Sequence, residues 1–214
     1  MMRRIRNCED AAARTDAFLM GLVFLIAGFV IVGMTTNPTY TGVSVGDIAP
    51  ELSGEVYNGT NWNQVTINDK FNSSWVEGSF GGTWVMVEFM DINCGHCIKA
   101  APELGSYSDS WINEAELSDG ATLEFIAVSI QLGIGGKEYT QENIEGFRAE
   151  YNHNIPYMDD LNNDLRDNWD IPGTPTYFLI APNGIISYST PESFGVSVWE
   201  HMGDTIPLDN QGGE

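Results

Sequence analysis

Residues 84–97 contain an apolar run, Trp84-Val85-Met86-Val87-Glu88-Phe89-Met90, followed after three residues by Cys94-Gly95-His96-Cys97. A short run of this kind, rich in valine and aromatic residues, predicts a buried central β-strand. Helical signals follow Cys97, and Pro102 is expected to kink that helix. The two cysteines are therefore predicted to lie between a buried strand and the first turn of a helix.

The Cys94–Cys97 spacing has three interpretations. A structural disulfide across so short a loop would add little stability. A zinc site lacks a second cysteine pair, although His96, His153 and His201 leave a mixed site open. Redox chemistry fits best, because a thiol at a helix N-terminus is exposed to the helix dipole and to free N–H groups that favour thiolate. We predict Cys94 as the exposed nucleophile, Cys97 as the shielded resolving thiol, and protonated His96 as a stabiliser of the Cys94 thiolate.

The rest of the chain predicts an α/β domain with a mixed central sheet flanked by helices. Alternation, apolar runs and helical spacing define its elements. In chain order these are strands at 84–90 and 123–130, helices at 141–151 and 163–169, strands at 176–180 and 185–188, and a helix near 196–202. The turn Pro182-Asn183-Gly184 indicates that the last two strands form an antiparallel hairpin.

The N-terminus predicts a membrane anchor. Arginines at positions 3, 4, 6 and 14 precede an uncharged run, Ala17–Met34. At 1.5 Å per residue this run spans about 27 Å, close to the thickness of a hydrocarbon core. A cleavable signal peptide is the alternative, but no small-x-small cleavage site follows near residues 31–36. Cys8 would then be a cytoplasmic thiol, either a spectator or a site of palmitoylation.

This interpretation divides the chain into five parts. They are a basic cytoplasmic stretch at 1–16, a single transmembrane helix at 17–34, a linker at 35–43, a folded domain at 44–203 and an acidic flexible tail at 204–214. Basic flanks remain in the cytoplasm, so the folded domain is expected on the extracytoplasmic side of the cell membrane.

Charge excludes one class of partner. The chain has 30 Asp and Glu against 9 Lys and Arg, a formal net charge of −21. Such a surface repels nucleic acid, so we predict no nucleic-acid binding. The acidic excess either keeps the protein soluble in a salty medium or attracts basic partners.

Four blocks, in order, resemble the thioredoxin superfamily and specifically its membrane-anchored TlpA/ResA type, a redoxin-like group. They are Val45-Gly46-Asp47-Ile48-Ala49-Pro50, the segment from Val87 through the cysteine pair to Pro102, Ile155-Pro156-Tyr157-Met158-Asp159-Asp160, and Trp169-Asp170-Ile171-Pro172-Gly173-Thr174-Pro175-Thr176. The Gly-His spacer is similar to that of protein disulfide isomerases. The resemblance implies a thioredoxin-like fold that cycles a redox-active Cys94–Cys97 disulfide.

The resemblance also implies roles for other residues. Thr174-Pro175 corresponds to the cis-proline loop that lies against the dithiol and binds the substrate backbone, together with Gly95. Glu88 corresponds to a buried acid beneath the resolving cysteine. Burial would raise its pKa and suit it to accept the Cys97 proton.

The implied activity is extracytoplasmic thiol–disulfide exchange with protein substrates, with neither a cofactor nor a metal. Clients could be apocytochrome c or secreted proteins, and a membrane or thioredoxin-like redox partner would complete the cycle. Met90 and Asn93 replace aromatic residues that relatives usually carry. The Gly-His spacer points to an oxidase or isomerase, whereas the TlpA/ResA resemblance points to a reductase, as in cytochrome c maturation.

Three rival functions fit the sequence less well. A copper(I) metallochaperone would use Cys94, Cys97 and His153, but thioredoxin-like copper carriers have three residues between the cysteines. We interpret His153, which lies between two asparagines, as a solvated loop residue. A peroxiredoxin would need a Pro/Thr-rich loop before the reactive cysteine, and the preceding residues lack it. A purely structural adaptor would not need an intact dithiol.

Overall fold

A computed structural model describes residues 18, 20–27, 42–190, 192 and 195–209. The chain forms two compact units, Met1–Thr39 and Tyr40–Glu214. Positions 17, 19 and 28–34 of the predicted anchor, Cys8, most of the predicted linker and the end of the tail lie outside the described residues. Within the described ranges, no helix has both the length and the apolar character needed to span a membrane.

The second unit is built on a seven-stranded mixed sheet in the order β2-β1-β5-β4-β3-β6-β7. Its strands are β1 (Ser53–Tyr57), β2 (Trp62–Thr66), β3 (Thr83–Met90), β4 (Thr122–Ile130), β5 (Tyr157–Asp160), β6 (Thr176–Ile180) and β7 (Ile186–Ser189). Its α-helices are α1 (Gly95–Asn113), α2 (Gln141–Glu150), α3 (Asp164–Asn168) and α4 (Val198–Thr205), with 3₁₀ turns at Ile67–Lys70 and Ile134–Gly136. The predicted α/β class and mixed sheet flanked by helices are confirmed.

Strand β3 lies inside the sheet, as its apolar run predicted. It pairs in parallel with β4 and antiparallel with β6. Strand β6 forms the predicted antiparallel hairpin with β7. Gly184 in that turn has φ of 83°, a conformation that costs glycine little because it has no Cβ.

Two cores lie on opposite faces of the sheet. Along β3, Trp84, Met86 and Met90 belong to one cluster, whereas Val85, Val87 and Phe89 belong to the other. Successive side chains of a strand point to opposite faces, so the clusters are on opposite sides. We call the cluster that contains Cys94 and Cys97 the dithiol-face core, and the cluster that contains Trp169 and Phe178 the rear-face core.

The sheet is larger than predicted, because β1, β2 and β5 gave no recognised strand signal. Residues 62–66 are mostly polar and form the edge strand of the sheet, with none of the five fully buried. Strand β5 ends in Asp159-Asp160, and aspartate is disfavoured in strands. It forms nevertheless because it pairs with both β1 and β4. Tertiary pairing therefore overrides local propensity at these positions.

Candidate functional site

Cys94 lies at the junction of β3 and α1. It is the N-cap residue of α1, and its N–H donates to the carbonyl of Asp91 at 2.9 Å. Both cysteines are free thiols. Cys94 is 6% exposed and Cys97 is 1% exposed. The prediction of an exposed nucleophile is therefore wrong in degree, because Cys94 lies at the helix start as expected but is almost fully buried.

The surroundings separate the pKa values of the two thiols. Burial by itself raises the pKa of Cys94, but hydrogen bonds from Thr174, from the backbone N–H groups of Cys97 and His96, and from the Cys97 thiol outweigh it. The net pKa of Cys94 is therefore lowered. Burial raises the pKa of Cys97 to about 12, and the charge of Glu88 adds to that effect. Because the thiolate is the reactive form, nucleophilic attack is easier at Cys94.

Glu88 lies on the dithiol face of β3 and is 2% exposed. Burial raises its pKa to about 8, although a hydrogen bond from Tyr177 lowers it in part. The Tyr177 hydroxyl donates to Glu88 Oε1 at 3.2 Å, and Oε2 is buried with no hydrogen-bond partner. Glu88 is close enough to Cys97 for its charge to raise the Cys97 pKa. The carboxyl thus lies close to the resolving thiol, and its role as proton acceptor stays a prediction.

Register explains why Glu88 has this environment. It faces Tyr177 on β6 and Ala127 on β4, and Ala127 faces Tyr157 on β5. Alanine has only a methyl group, so it leaves room above the sheet between the glutamate and the second tyrosine. The charge of Glu88 raises the pKa of both tyrosines in addition to the larger effect of their burial. Both phenols therefore stay protonated at neutral pH and can donate a hydrogen bond.

The loop before β6 lies against the dithiol. The Thr174–Pro175 peptide bond is cis, at the position that the resemblance indicated. The Cys94 Sγ–H donates to the Thr174 carbonyl at 3.5 Å. The Thr174 hydroxyl is buried beside the two thiols, and it lowers the pKa of both Cys94 and Cys97. Gly95 and His96 are exposed in the first turn of α1, directly after the nucleophile in the chain.

His153 is not a solvated loop residue, and that interpretation is wrong. It is 2% exposed. Its Nε2 lies 2.9 Å from the Ala101 carbonyl, so Nε2 must carry the hydrogen, and Nδ1 accepts from the Tyr157 hydroxyl at 2.6 Å. A Cβ at Gly105 would approach the His153 ring to 3.0 Å, so the glycine makes space for it. Both ring nitrogens are occupied, which leaves His153 unable to join the cysteines as a copper(I) ligand.

Sequence reasoning missed Asp91. Its side chain is 1% exposed, yet it forms no ion pair among the described residues. Oδ1 accepts from the N–H of Asn93 at 2.7 Å, and Oδ2 accepts from the N–H of Leu132 at 2.7 Å. An aspartate two residues before its hydrogen-bond donor is a common turn signal. That signal could have identified the first bond, whereas the second depends on the fold.

Two kinds of sequence comparison find no match for this chain. No model of a known protein family matches it, and no curated protein matches it. Its similarities are to solved structures. A thiol:disulfide interchange protein from Bacteroides sp. matches with a TM-score of 0.54 and 20% identity, over 81% of this chain and 95% of that one.

Two further structures match over a smaller part of this chain. The thioredoxin domain of a thiol-disulfide oxidoreductase from Bacteroides vulgatus has a TM-score of 0.51 and 20% identity, covering 69% of this chain and 89% of its own. A Chlorobium tepidum protein named as a candidate thiol:disulfide interchange protein DsbE has a TM-score of 0.51 and 19% identity, covering 69% and 85%. The likeness shows that the chain has a thioredoxin-like fold, which confirms at the level of the fold the resemblance inferred from the motifs.

Proposed function

We propose that this protein is a thiol–disulfide oxidoreductase that exchanges disulfides with protein substrates through Cys94 and Cys97. The observation that carries the proposal is the opposite shift of the two thiol pKa values, lowered at Cys94 and raised to about 12 at Cys97. A structural disulfide needs no such difference. An exchange enzyme needs this difference, because one thiol must attack the substrate while the other stays protonated until the mixed disulfide has formed. The names of the structural neighbours support the same activity.

The first step begins at Cys94. Its thiolate attacks one sulfur of the substrate disulfide, that S–S bond breaks, and the second substrate sulfur leaves as a thiolate that takes a proton from water. A mixed disulfide now joins Cys94 to the substrate. The Thr174 carbonyl lies beside the attacking sulfur, so an extended substrate segment can pair with the backbone of this loop.

The second step requires Cys97 to ionise. In the resting site the charge of Cys94 contributes to the raised Cys97 pKa. The mixed disulfide has no such charge, so the Cys97 pKa falls when its thiolate is needed. The ionised form of Glu88 accepts the proton, and the Cys97 thiolate attacks Cys94 Sγ. The Cys94–Cys97 disulfide forms, and the first substrate sulfur leaves Cys94 as a thiolate that takes the proton held by Glu88. Two electrons and two protons have then passed to the substrate, and the reverse sequence oxidises a dithiol.

The proposed location is the extracytoplasmic face of a cell membrane, with residues 17–34 as a single-pass anchor. The basic flank and the uncharged run support this location. Apocytochrome c or secreted proteins with misplaced disulfides are suitable clients there, and a membrane or thioredoxin-like partner would exchange electrons with Cys94 and Cys97. A protease-protection experiment on intact cells tests the topology, since only an external domain is digested without lysis.

The activity is tested with the full chain purified in mild detergent. Reduced protein should cleave the disulfides of insulin, Cys94→Ser should abolish cleavage, and Cys97→Ser should accumulate a mixed disulfide that thiol reagents release. Cys8→Ser is the matched control and should retain full activity. Normal cleavage by Cys94→Ser would overturn the proposal.

The physiological direction is set by the reduction potential of the Cys94–Cys97 pair. A potential of about −270 mV would make the protein a reductase, and a potential above about −180 mV would make it an oxidase or isomerase. Equilibration of the full chain with glutathione buffers, followed by alkylation and mass analysis of the peptide that contains both cysteines, measures it directly.

A further inference from the structure

Asp91 connects two segments that are far apart in the sequence. Its Oδ1 holds the backbone of Asn93, in the turn that leads to Cys94, and its carbonyl accepts from the N–H of Cys94. Its Oδ2 holds the backbone of Leu132, in the loop that follows β4. All three bonds are between 2.7 and 2.9 Å long. One buried side chain thus fixes the nucleophile's turn and a second loop together.

The second loop, residues 131–139, would be poorly defined without such anchors. Gly133, Gly135 and Gly136 all have φ between 65° and 68°, a region that glycine enters freely. The loop is held at its ends: Asn163 bonds the backbone of Gln131, and the side chain of Gln131 bonds the Tyr139 carbonyl. Asp91 is the anchor that ties it to the dithiol.

Residues of both segments line one groove, which reaches Asn93, the residue before Cys94, and we call the two contributions its walls. Ile92 and Asn93 line one wall, Lys137 and Tyr139 line the other, and helix α2 closes the side. The groove has a volume of about 770 Å³, enough for several residues of an extended peptide. It begins one residue before the nucleophile, so a protein bound to Cys94 through a mixed disulfide can extend along it.

We propose that Asp91 is a positioning residue that holds both walls of this groove and thereby favours protein disulfides over small disulfides as substrates. The inference rests on the proposed exchange function. A small disulfide needs only access to the Cys94 sulfur. A protein segment also needs the groove at its proper width, and that width depends on the two bonds of the Asp91 carboxylate.

The test compares one protein disulfide with one small disulfide. Rates of reduced full chain are measured with insulin and with hydroxyethyl disulfide, for wild type, Asp91→Ala and Asp91→Asn. The matched control is Asp160→Ala. Asp160 is also buried, with 2% of its surface exposed. It accepts hydrogen bonds from two backbone N–H groups, those of Leu165 and Arg166 at 2.9 and 2.8 Å. These residues belong to α3 and not to the dithiol turn.

We expect Asp91→Ala to slow the insulin reaction about 10-fold or more while the small disulfide reacts within about 2-fold of the wild-type rate. Asp91→Asn keeps one acceptor oxygen and the same shape, so it should fold normally and show an intermediate loss. Hydrogen exchange should accelerate across residues 131–139 in both Asp91 variants. Asp160→Ala should leave the ratio of the two rates unchanged.

Three results would overturn the inference: equal losses on both disulfides, an unchanged ratio in both Asp91 variants, or the same change of ratio in Asp160→Ala. Failure of the proposed function is a different result, in which wild type itself reacts with neither disulfide.

Discussion

Replacing Glu88 by Gln removes a buried carboxyl group whose pKa rises from 4.5 to about 8 in the folded protein. The folded state therefore holds this proton more tightly than the unfolded chain does. The associated stability is complete below pH 4.5 and is lost as the pH rises to about 8. At about 1.4 kcal/mol per pKa unit, the loss is about 3 kcal/mol at neutral pH and about 5 kcal/mol above pH 8.

Glutamine does not titrate, so Glu88→Gln should be more stable than wild type by a margin that grows with pH and reaches about 3 kcal/mol at neutral pH. Urea unfolding of the full chain, followed by tryptophan fluorescence at several pH values from 4.5 to 8, measures this margin. The same variant should resolve the mixed disulfide roughly 100-fold more slowly, because Cys97 loses its proton acceptor. Stability and activity should thus change in opposite directions.

The matched control is Glu77→Gln, which alters an exposed glutamate in the segment before β3 and should change neither quantity. The reasoning would be refuted if Glu88→Gln had the same stability margin at pH 4.5 and pH 8. It would also be refuted if the variant resolved the mixed disulfide at the wild-type rate.

Alkylation of the reduced protein should label Cys94 with an apparent pKa below the ordinary cysteine value. Cys97, whose pKa is about 12, should stay unlabelled at neutral pH. Equal labelling of the two cysteines in peptide mass spectra would contradict this. Thr174→Val should raise the pKa of Cys94, since it removes a hydroxyl that lowers it, and the ultraviolet absorbance of the thiolate reports the shift. His153→Phe should destabilise the fold by about 2–3 kcal/mol, because the Tyr157 hydroxyl loses its buried acceptor; a urea midpoint equal to that of wild type would disprove that contribution.

Local signals were sufficient where burial is continuous along the chain. Strands β3 and β4 are buried on both faces over most of their length, so each forms a mainly apolar run that sequence alone identifies. The cysteine pair is equally local, since its chemistry follows from a two-residue spacer at a helix start. Glu88 was identified because the family resemblance places a buried acid at this position, and its apolar neighbours Val87 and Phe89 agree with burial.

Other parts of the site depend on contacts between distant segments. His153 lies between two asparagines, which suggests exposure, but its ring bonds a carbonyl 52 residues earlier. The second bond of Asp91 is to a residue 41 positions later. Tyr157 lies in line with Glu88 because Ala127, on the strand β4 between them, pairs with both residues and has only a small side chain. None of these relations is encoded in a window of the sequence, because each needs the strand order and register first.

The sheet separates stabilising from reactive functions. In the part of the chain that the structure describes, the rear-face core contains Phe89, Trp169 and Phe178 but no tyrosine, whereas the dithiol-face core includes Tyr139 and Tyr157. The rear face can therefore stabilise the domain through apolar burial alone. The dithiol face also buries titratable groups, and burial favours their protonated forms, as the raised pKa values of Tyr139 and Tyr157 show. That environment keeps Cys97 neutral until a mixed disulfide removes the charge of its neighbour. A strand whose alternate residues face two different cores is thus sufficient to give one sheet a stable side and a reactive side.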